Sequence, residues 1–450
     1  MKRTNKKGFT IVELVIVIAV IAILAAVLIP NISRLVKKAN ESSDIQAVRN
    51  MNTFLAAEGA TGDIKSILDV YDLFVDSGYN VKSYSPLYSG RHFYYDKQYN
   101  QILYVETESG KVLFPEERKN DNITTTLKNH DLFSLSMEVP GESTPAGYDK
   151  PDTNGKIMAT INDAKEYAFI IKEYNKNASA KELDLTINGT IDMMGAQCLI
   201  ETAKGNITIK AATGTSGKAV IKNATSNTFV TTLDNNESGL PANYYSGALI
   251  GDATGYDVTI EGVTFENLNV KAVSASGCAL LVGTNNKTVT IKNVSIKNSS
   301  VIGHRNVGAF VGQASNVKFE GSVSLENVDV KTVGGRSALL VGLADGTCSK
   351  ASGADIQIDK NSKMSIYENA ASEQKFYKEL PEDLRTNAES RIYTIGEQDQ
   401  FIYSVYTVNA GTKKYCAYGY KADALILLQN TPNDHTKLTA ITAVSGITIN

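Results

Sequence analysis

The chain has 450 residues, of which 42% are hydrophobic and 21% charged, with a formal net charge of -3 and an isoelectric point near 6.0. That balance supports a sizeable core spread over two or three domains of about 100–200 residues. It argues against nucleic acid as the main partner, because no basic stripe is available to neutralise phosphates. Cys198, Cys278, Cys348 and Cys416 are widely spread, with neither CxxC spacing nor a nearby histidine. The even count leaves an extracellular disulfide open, but the expectation is buried free thiols, since lone cysteines behave as small hydrophobes. His92, His130, His304 and His435 are too scattered for a catalytic or metal cluster, and no cofactor is expected.

The amino terminus carries Lys2, Arg3, Lys6 and Lys7, and from Phe9 to Ile29 every residue except Thr10 and Glu13 is apolar. A helix of that length reaches roughly 31 Å, enough to cross the hydrocarbon core of a bilayer. The basic flank predicts that this end stays in the cytoplasm. A secretory signal peptide would have a shorter apolar core and a small-x-small cleavage site, which Pro30-Asn31-Ile32-Ser33 does not match. A plain anchor leaves Glu13 unexplained: a carboxylate at depth costs several kcal/mol and is usually functional.

The string Gly8-Phe9-Thr10-Ile11-Val12-Glu13-Leu14 behind a short basic leader (residues 1–8) resembles the class III signal of type IV prepilins and pseudopilins. The resemblance implies cleavage between Gly8 and Phe9 by a membrane-embedded aspartyl protease on the cytoplasmic side, followed by methylation of the new terminal amine on Phe9. It also implies that Glu13 pairs with a neighbouring subunit's amino terminus during filament assembly. Opposite charge makes a buried carboxylate tolerable. The partners implied are the prepilin peptidase/methyltransferase, other pilin subunits, the pilus assembly machinery, and membrane lipid before assembly. Pro30 falls where pilins often carry a helix-kinking proline.

Beyond Pro30, Ile32, Leu35, Val36, Ile45, Val48, Met51, Phe54 and Leu55 recur at helical spacing, and Glu58 to Asp63 breaks the pattern. A second helix is expected from near Asp63. Three strands follow at 92–95, 101–105 and 111–114, separated by turn residues. The eight tyrosines from Tyr71 to Tyr104 are expected to pack this sheet on the helix. Residues 119–156 read as a linker rich in breakers.

The remainder repeats. Gly247-Ala248-Leu249-Ile250-Gly251, Cys278-Ala279-Leu280-Leu281-Val282-Gly283, Gly308-Ala309-Phe310-Val311-Gly312 and Ser337-Ala338-Leu339-Leu340-Val341-Gly342 end on glycines 32, 29 and 30 residues apart. A second phrase, Val263 to Asn267, Val294 to Asn298 and Val323 to Asn327, keeps the same beat. Alternating apolar residues without helical period indicate a parallel β-solenoid. The phrases resemble GLUG-type surface repeats and the coils of right-handed β-helix proteins. Ile161 to Ile171 reads as an amphipathic helix capping the first coil.

The expected fold class is multidomain. It has a long transmembrane α-helix (9–60), a small α+β pilin-like body (61–118), the linker (119–156), and an all-β right-handed parallel β-helix with its cap helix (157–369). A β-rich cap (370–450), with a hairpin between Phe401 and Tyr420, ends the chain. The expected function is a minor pilin-like subunit or pilus-associated adhesin displaying the solenoid at the cell surface, with a pseudopilin of a secretion or DNA-uptake system as the alternative. A glycan or other surface ligand is the candidate partner. Asp234, Asn235, Tyr244 and Tyr245, in an insertion at 231–246, form the candidate ligand loop, against the plainer reading of a tolerated insertion. The last alternative, a surface glycan-active β-helix enzyme, is not expected: Asp192, Asp252, Asp257, Asp329, Asp345 and Asp355 lie scattered in turns, none opposite a basic partner in register, and His304-Arg305 is a single turn dipeptide.

Overall fold

The computed structural model describes residues 11–58, 64, 66–78, 84–148, 151–197, 199–214, 218–227, 247–271, 277–303, 306–333, 339–359 and 361–367, with six further strands between 392 and 449. Helix α1 (Ile11–Glu58) runs 48 residues, straight through the position of Pro30 as one helix. Its first half stands clear of the protein: the apolar side chains from Ile11 to Ile21, and again Ile32, Leu35 and Val36, are exposed. Its second half is a spine. Val48, Met51 and Leu55, spaced three and four apart, are fully buried on one face. No helix among the described residues is long and apolar enough to cross a membrane. The crossing expected over 9–29 draws on residues 9–10 and on the side chains of 23–30, which lie outside those described.

Helix α2 (Ile67–Asp76) starts later than the Asp63 expected. Ser66 and Asp69 set the start, the Ser66 amide donating to Asp69 Oδ2 at 2.6 Å and the Asp69 amide to Ser66 Oγ at 3.4 Å. A sheet of β1 (Arg91–Asp96), β2 (Gln101–Glu106), β3 (Val112–Phe114) and β4 (Leu132–Ser134), in the order β3-β2-β1-β4, closes over these helices. The turn positions Asn100 and Gly110 adopt positive φ, as their residue types allow. Tyr71, Tyr84, Tyr94, Tyr95 and Tyr104 are buried in this body as packing. β4 corrects the reading of 119–156 as a linker. It pairs antiparallel with β1, while Val139 and Tyr148 pack on the following domain.

Strand β5 (Ile157–Ile161) and helix α3 (Ala164–Lys176) open the solenoid. The helix begins after Ile161, which ends β5 in parallel register with Leu183–Ile187. Asp163 caps it, accepting from the Glu166 amide at 2.9 Å. At the other end Lys204 Nζ donates to the carbonyls of Tyr174, Asn175 and Asn177, three of the acceptors a helix C-terminus leaves open. Tyr167, Ile170, Ile171 and Tyr174 bury this helix against the core of the first coils.

From there the strands stack in parallel. One stack runs from β5 through Leu183–Ile187, Ile207–Ala211, Val258–Glu261 and Thr288–Lys292 to Val311–Glu320 and Val341–Lys350. Seven strands at about 4.8 Å give a stack about 29 Å deep. A second stack holds Thr190–Asp192, Val220–Lys222, Thr264–Glu266, Ser295–Gly303 and Ser322–Val333. Alternate residues point inward and meet their equivalents in the next coil. Ile209, Ile260, Ile291 and Phe319 form one such buried column; Ile191, Ile221, Phe265, Ile296 and Leu325 form another. The Gly-Ala-Leu phrases make the tight corners, where Leu280 with Leu281 and Leu339 with Leu340 are both buried and backbone bonds climb from coil to coil. Asn267, Asn298 and Asn327, the last residues of the second phrase, turn the chain at φ between +47° and +54°.

The outward residues alternate in sign. Asp192, Lys222, Glu266, Lys297 and Glu326 are in register on one stack, and Lys210, Glu261, Lys292 and Glu320 on the other. Lys222 meets Asp192 at 3.0 Å, which corrects the expectation that no aspartate faces a basic partner in register. Lys297 meets Glu326 at 2.9 Å, and that hydrogen bond raises the lysine's pKa. Lys297→Glu would align three carboxylates, and the expected cost is about 1 kcal/mol, partly recovered at high salt. Thermal melts of Lys297→Glu and Lys297→Gln at low and high salt check this. Equal, salt-independent losses in both would show that repulsion is not the cause.

In the C-terminal region, Ile402–Val408 and Thr412–Tyr418 form the expected antiparallel hairpin. Ile447–Ile449 pairs in parallel with Asp355–Ile358 of the solenoid.

Candidate functional site

Two features of the described residues bear on function: the bare half of α1 and the seam between body and solenoid. Glu13 lies exposed in the first described turn of α1, amid apolar side chains. Gly8 and Phe9 lie outside the described residues, as do Asp234, Asn235, Tyr244 and Tyr245 of the candidate loop. His304, Cys198 and the side chain of Cys416 also lie outside them. Cys278 is a buried free thiol, pushed up in pKa by burial, and Cys348 is free and half-buried.

The seam is built, not hung on a tether. After Thr190–Asp192 the chain turns at Met194 (φ 53°) and Gly195 (φ 81°). The Ser134 amide of β4 donates to the Met194 carbonyl, and the Gln197 amide donates to the Met137 carbonyl at 2.8 Å. Met194 packs against the body's second core of Tyr94, Leu103, Val105 and Leu132. Gly195 is needed twice, for its positive φ and because a Cβ there would lie 3.1 Å from that of Phe133. Farther along, Lys271 Nζ donates to Asp72 Oδ1 of α2 at 2.7 Å, from a side chain only 10% exposed. Between α2 and the second stack lies a cleft of about 710 Å³.

Two buried polar clusters in the body tie its strands together. His92 Nε2 is 2.5 Å from Ser134 Oγ and 3.1 Å from Ser136 Oγ. Burial alone brings its pKa down to about 4, so the ring is neutral near pH 7. Ser134 is fully buried, so this serine–histidine pair meets no substrate. Asp96, also fully buried, joins Arg118 at 3.2 Å and His130 at 3.0 Å, and Arg118 lies 4.4 Å over the Tyr99 ring. Among the described residues no group of three or more His, Cys, Asp or Glu could hold a metal.

Residues 3–29 match the family model described as the prokaryotic N-terminal methylation motif. The chain therefore carries a prepilin-type amino terminus, joined to a parallel β-solenoid. It is similar to the type IV wide pilus major component PilA4 of Thermus thermophilus, at 66% identity over 38 residues. That stretch is 8% of this chain, and the chain covers 29% of the relative's length. No solved structure matches the chain.

Proposed function

We propose that the protein is a minor type IV pilin-like subunit, or a pilus-associated adhesin, that displays its solenoid outside the cell. The observation that carries this reading is the prepilin-type motif at 3–29 joined, through a packed seam, to a solenoid larger than the body it sits on. On this reading the leader is cut between Gly8 and Phe9, Phe9 is methylated, and the apolar run 9–29 holds the chain in the cytoplasmic membrane before assembly. The exposed apolar face of α1 then packs against other subunits, with Glu13 meeting a neighbour's terminal amine. The right-handed coil is a rigid, non-catalytic display element.

Mass spectrometry of the mature amino terminus tests it. Methyl-Phe9 is expected; an intact Met1 would support a plain anchor instead. Gold labels on the solenoid should mark rare positions along a pilus, whereas dense labelling of every filament excludes a minor role. The pseudopilin reading predicts that deletion blocks export or DNA uptake with adhesion intact.

A further inference from the structure

We infer that the cleft between α2 and the solenoid is a binding site for a neutral oligosaccharide. The inference deepens the display reading by naming the site and the ligand class. Its two walls come from different domains, with Asp69, Lys97 and Asp131 on the body and a row of asparagines on the solenoid. The volume of about 710 Å³ suits a ligand of several sugar rings.

Charge selects the class. The lining holds four lysines and five carboxylates, and they are interleaved: Lys271 bonds Asp72 at 2.7 Å and Lys331 bonds Asp329 at 3.0 Å. Such a surface has little net field with which to concentrate a polyanion or a polycation. Leu68 and Ile302 are the only aliphatic side chains in the lining, so an apolar ligand would find little to bury against.

Shape and hydrogen-bonding capacity point the same way. Asn223, Asn267, Asn298 and Asn327 line the cleft in consecutive coils. Asn267 Nδ2 donates to Asn223 Oδ1 at 2.6 Å, and Asn327 Nδ2 donates to Asn298 Oδ1 at 2.9 Å. Asn223, only 2% exposed, also donates to Asp192 Oδ1 at 2.8 Å and anchors the row. Each bond between asparagines uses one of an amide's two N–H donors or one of its two lone pairs, so both kinds of capacity remain at Asn267, Asn298 and Asn327. The open part of the row, from Asn267 to Asn327, is about 10 Å long, stepped by one coil, and fixed by backbone turns. Vicinal hydroxyls, which donate and accept, are the chemistry such a row of amides recognises. Lys97 adds donors, and Asp131 adds acceptors.

The test uses the full chain in detergent. Neutral tetrasaccharides of β-linked glucose, N-acetylglucosamine, galactose and mannose are titrated by calorimetry, with heparin and polyphosphate as charged probes. At least one neutral tetrasaccharide is expected to bind saturably, with little dependence on salt. Ser300→Trp, which fills the cleft from the solenoid wall, should weaken it at least tenfold, and Asp131→Ala, on the opposite wall, about threefold. Both variants should keep the parent's melting temperature. The inference is overturned if none of the four sugars binds, if Ser300→Trp binds like the parent, or if a charged polymer binds more tightly than every sugar. Failure here leaves display standing, because that is read from the amino-terminal mass and from labelled pili.

Discussion

Asp44→Ala is expected to weaken the small body by about 3 kcal/mol, seen as roughly hundredfold faster hydrogen exchange at the Leu87 and Tyr88 amides. Asp44 sits in α1, yet it is only 2% exposed. Its carboxylate accepts from the Leu87 amide at 2.7 Å, the Tyr88 amide at 2.9 Å and the Tyr104 hydroxyl at 3.1 Å. Burial, with Asp44 beside it, holds the Tyr104 phenol well above its ordinary pKa, so it stays a donor. Removing the carboxylate strands three donors at once, and water can replace only those nearest the surface. Asp44→Asn keeps acceptors but adds an amide that must face a donor, so it should fall between parent and alanine. Unchanged exchange at Leu87 and Tyr88 in Asp44→Ala would show that helix packing alone holds the 84–90 segment.

Gly312→Ala should cost the solenoid about 3 kcal/mol and lower its melting temperature by about 10 °C. A Cβ on Gly312 would lie 2.3 Å from the Cys278 nitrogen, 2.6 Å from the Gly277 carbonyl carbon and 2.6 Å from the Gly283 oxygen. All three are backbone of the neighbouring coil, so no side chain can swing away. Gly353→Ala is the comparison, since its φ is +77° and nothing lies within 4 Å of the added carbon. It should cost only the left-handed penalty of about 1 kcal/mol. Equal melting of the two variants would mean that the corner can relax.

The same contact explains why so much of the solenoid was legible. A glycine that must meet a neighbouring backbone cannot drift, and the asparagines at positive φ are nearly as restricted, so both phrases recur every 29 to 32 residues. The prepilin-type string was legible for a different reason, since its residue order is itself the signal. What could not be read is what distant segments do together. Lys271 and Asp72 are 199 positions apart and share no period. Asp44 reads as one more polar residue on a helix, because its partners lie in an aperiodic loop about forty residues later. Residues 119–156 carry breakers and so read as a linker, yet β4 finds a strand edge and Met137 finds Gln197. The cleft follows from that docking. Its asparagines were visible as turns but not as one wall of a space.

The alternating charges along the stacks limit how such a domain can change in length. Asp192, Lys222, Glu266, Lys297 and Glu326 switch sign at every coil. Duplicating or deleting one repeat would place like charges side by side at the new junction, whereas adding or removing two restores the pattern. The solenoid therefore has a parity: lengths that differ by pairs of coils avoid a like-charge junction costing about 1 kcal/mol. An engineer lengthening the rod should insert about sixty residues rather than thirty, twice the coil spacing set by the glycine phrases.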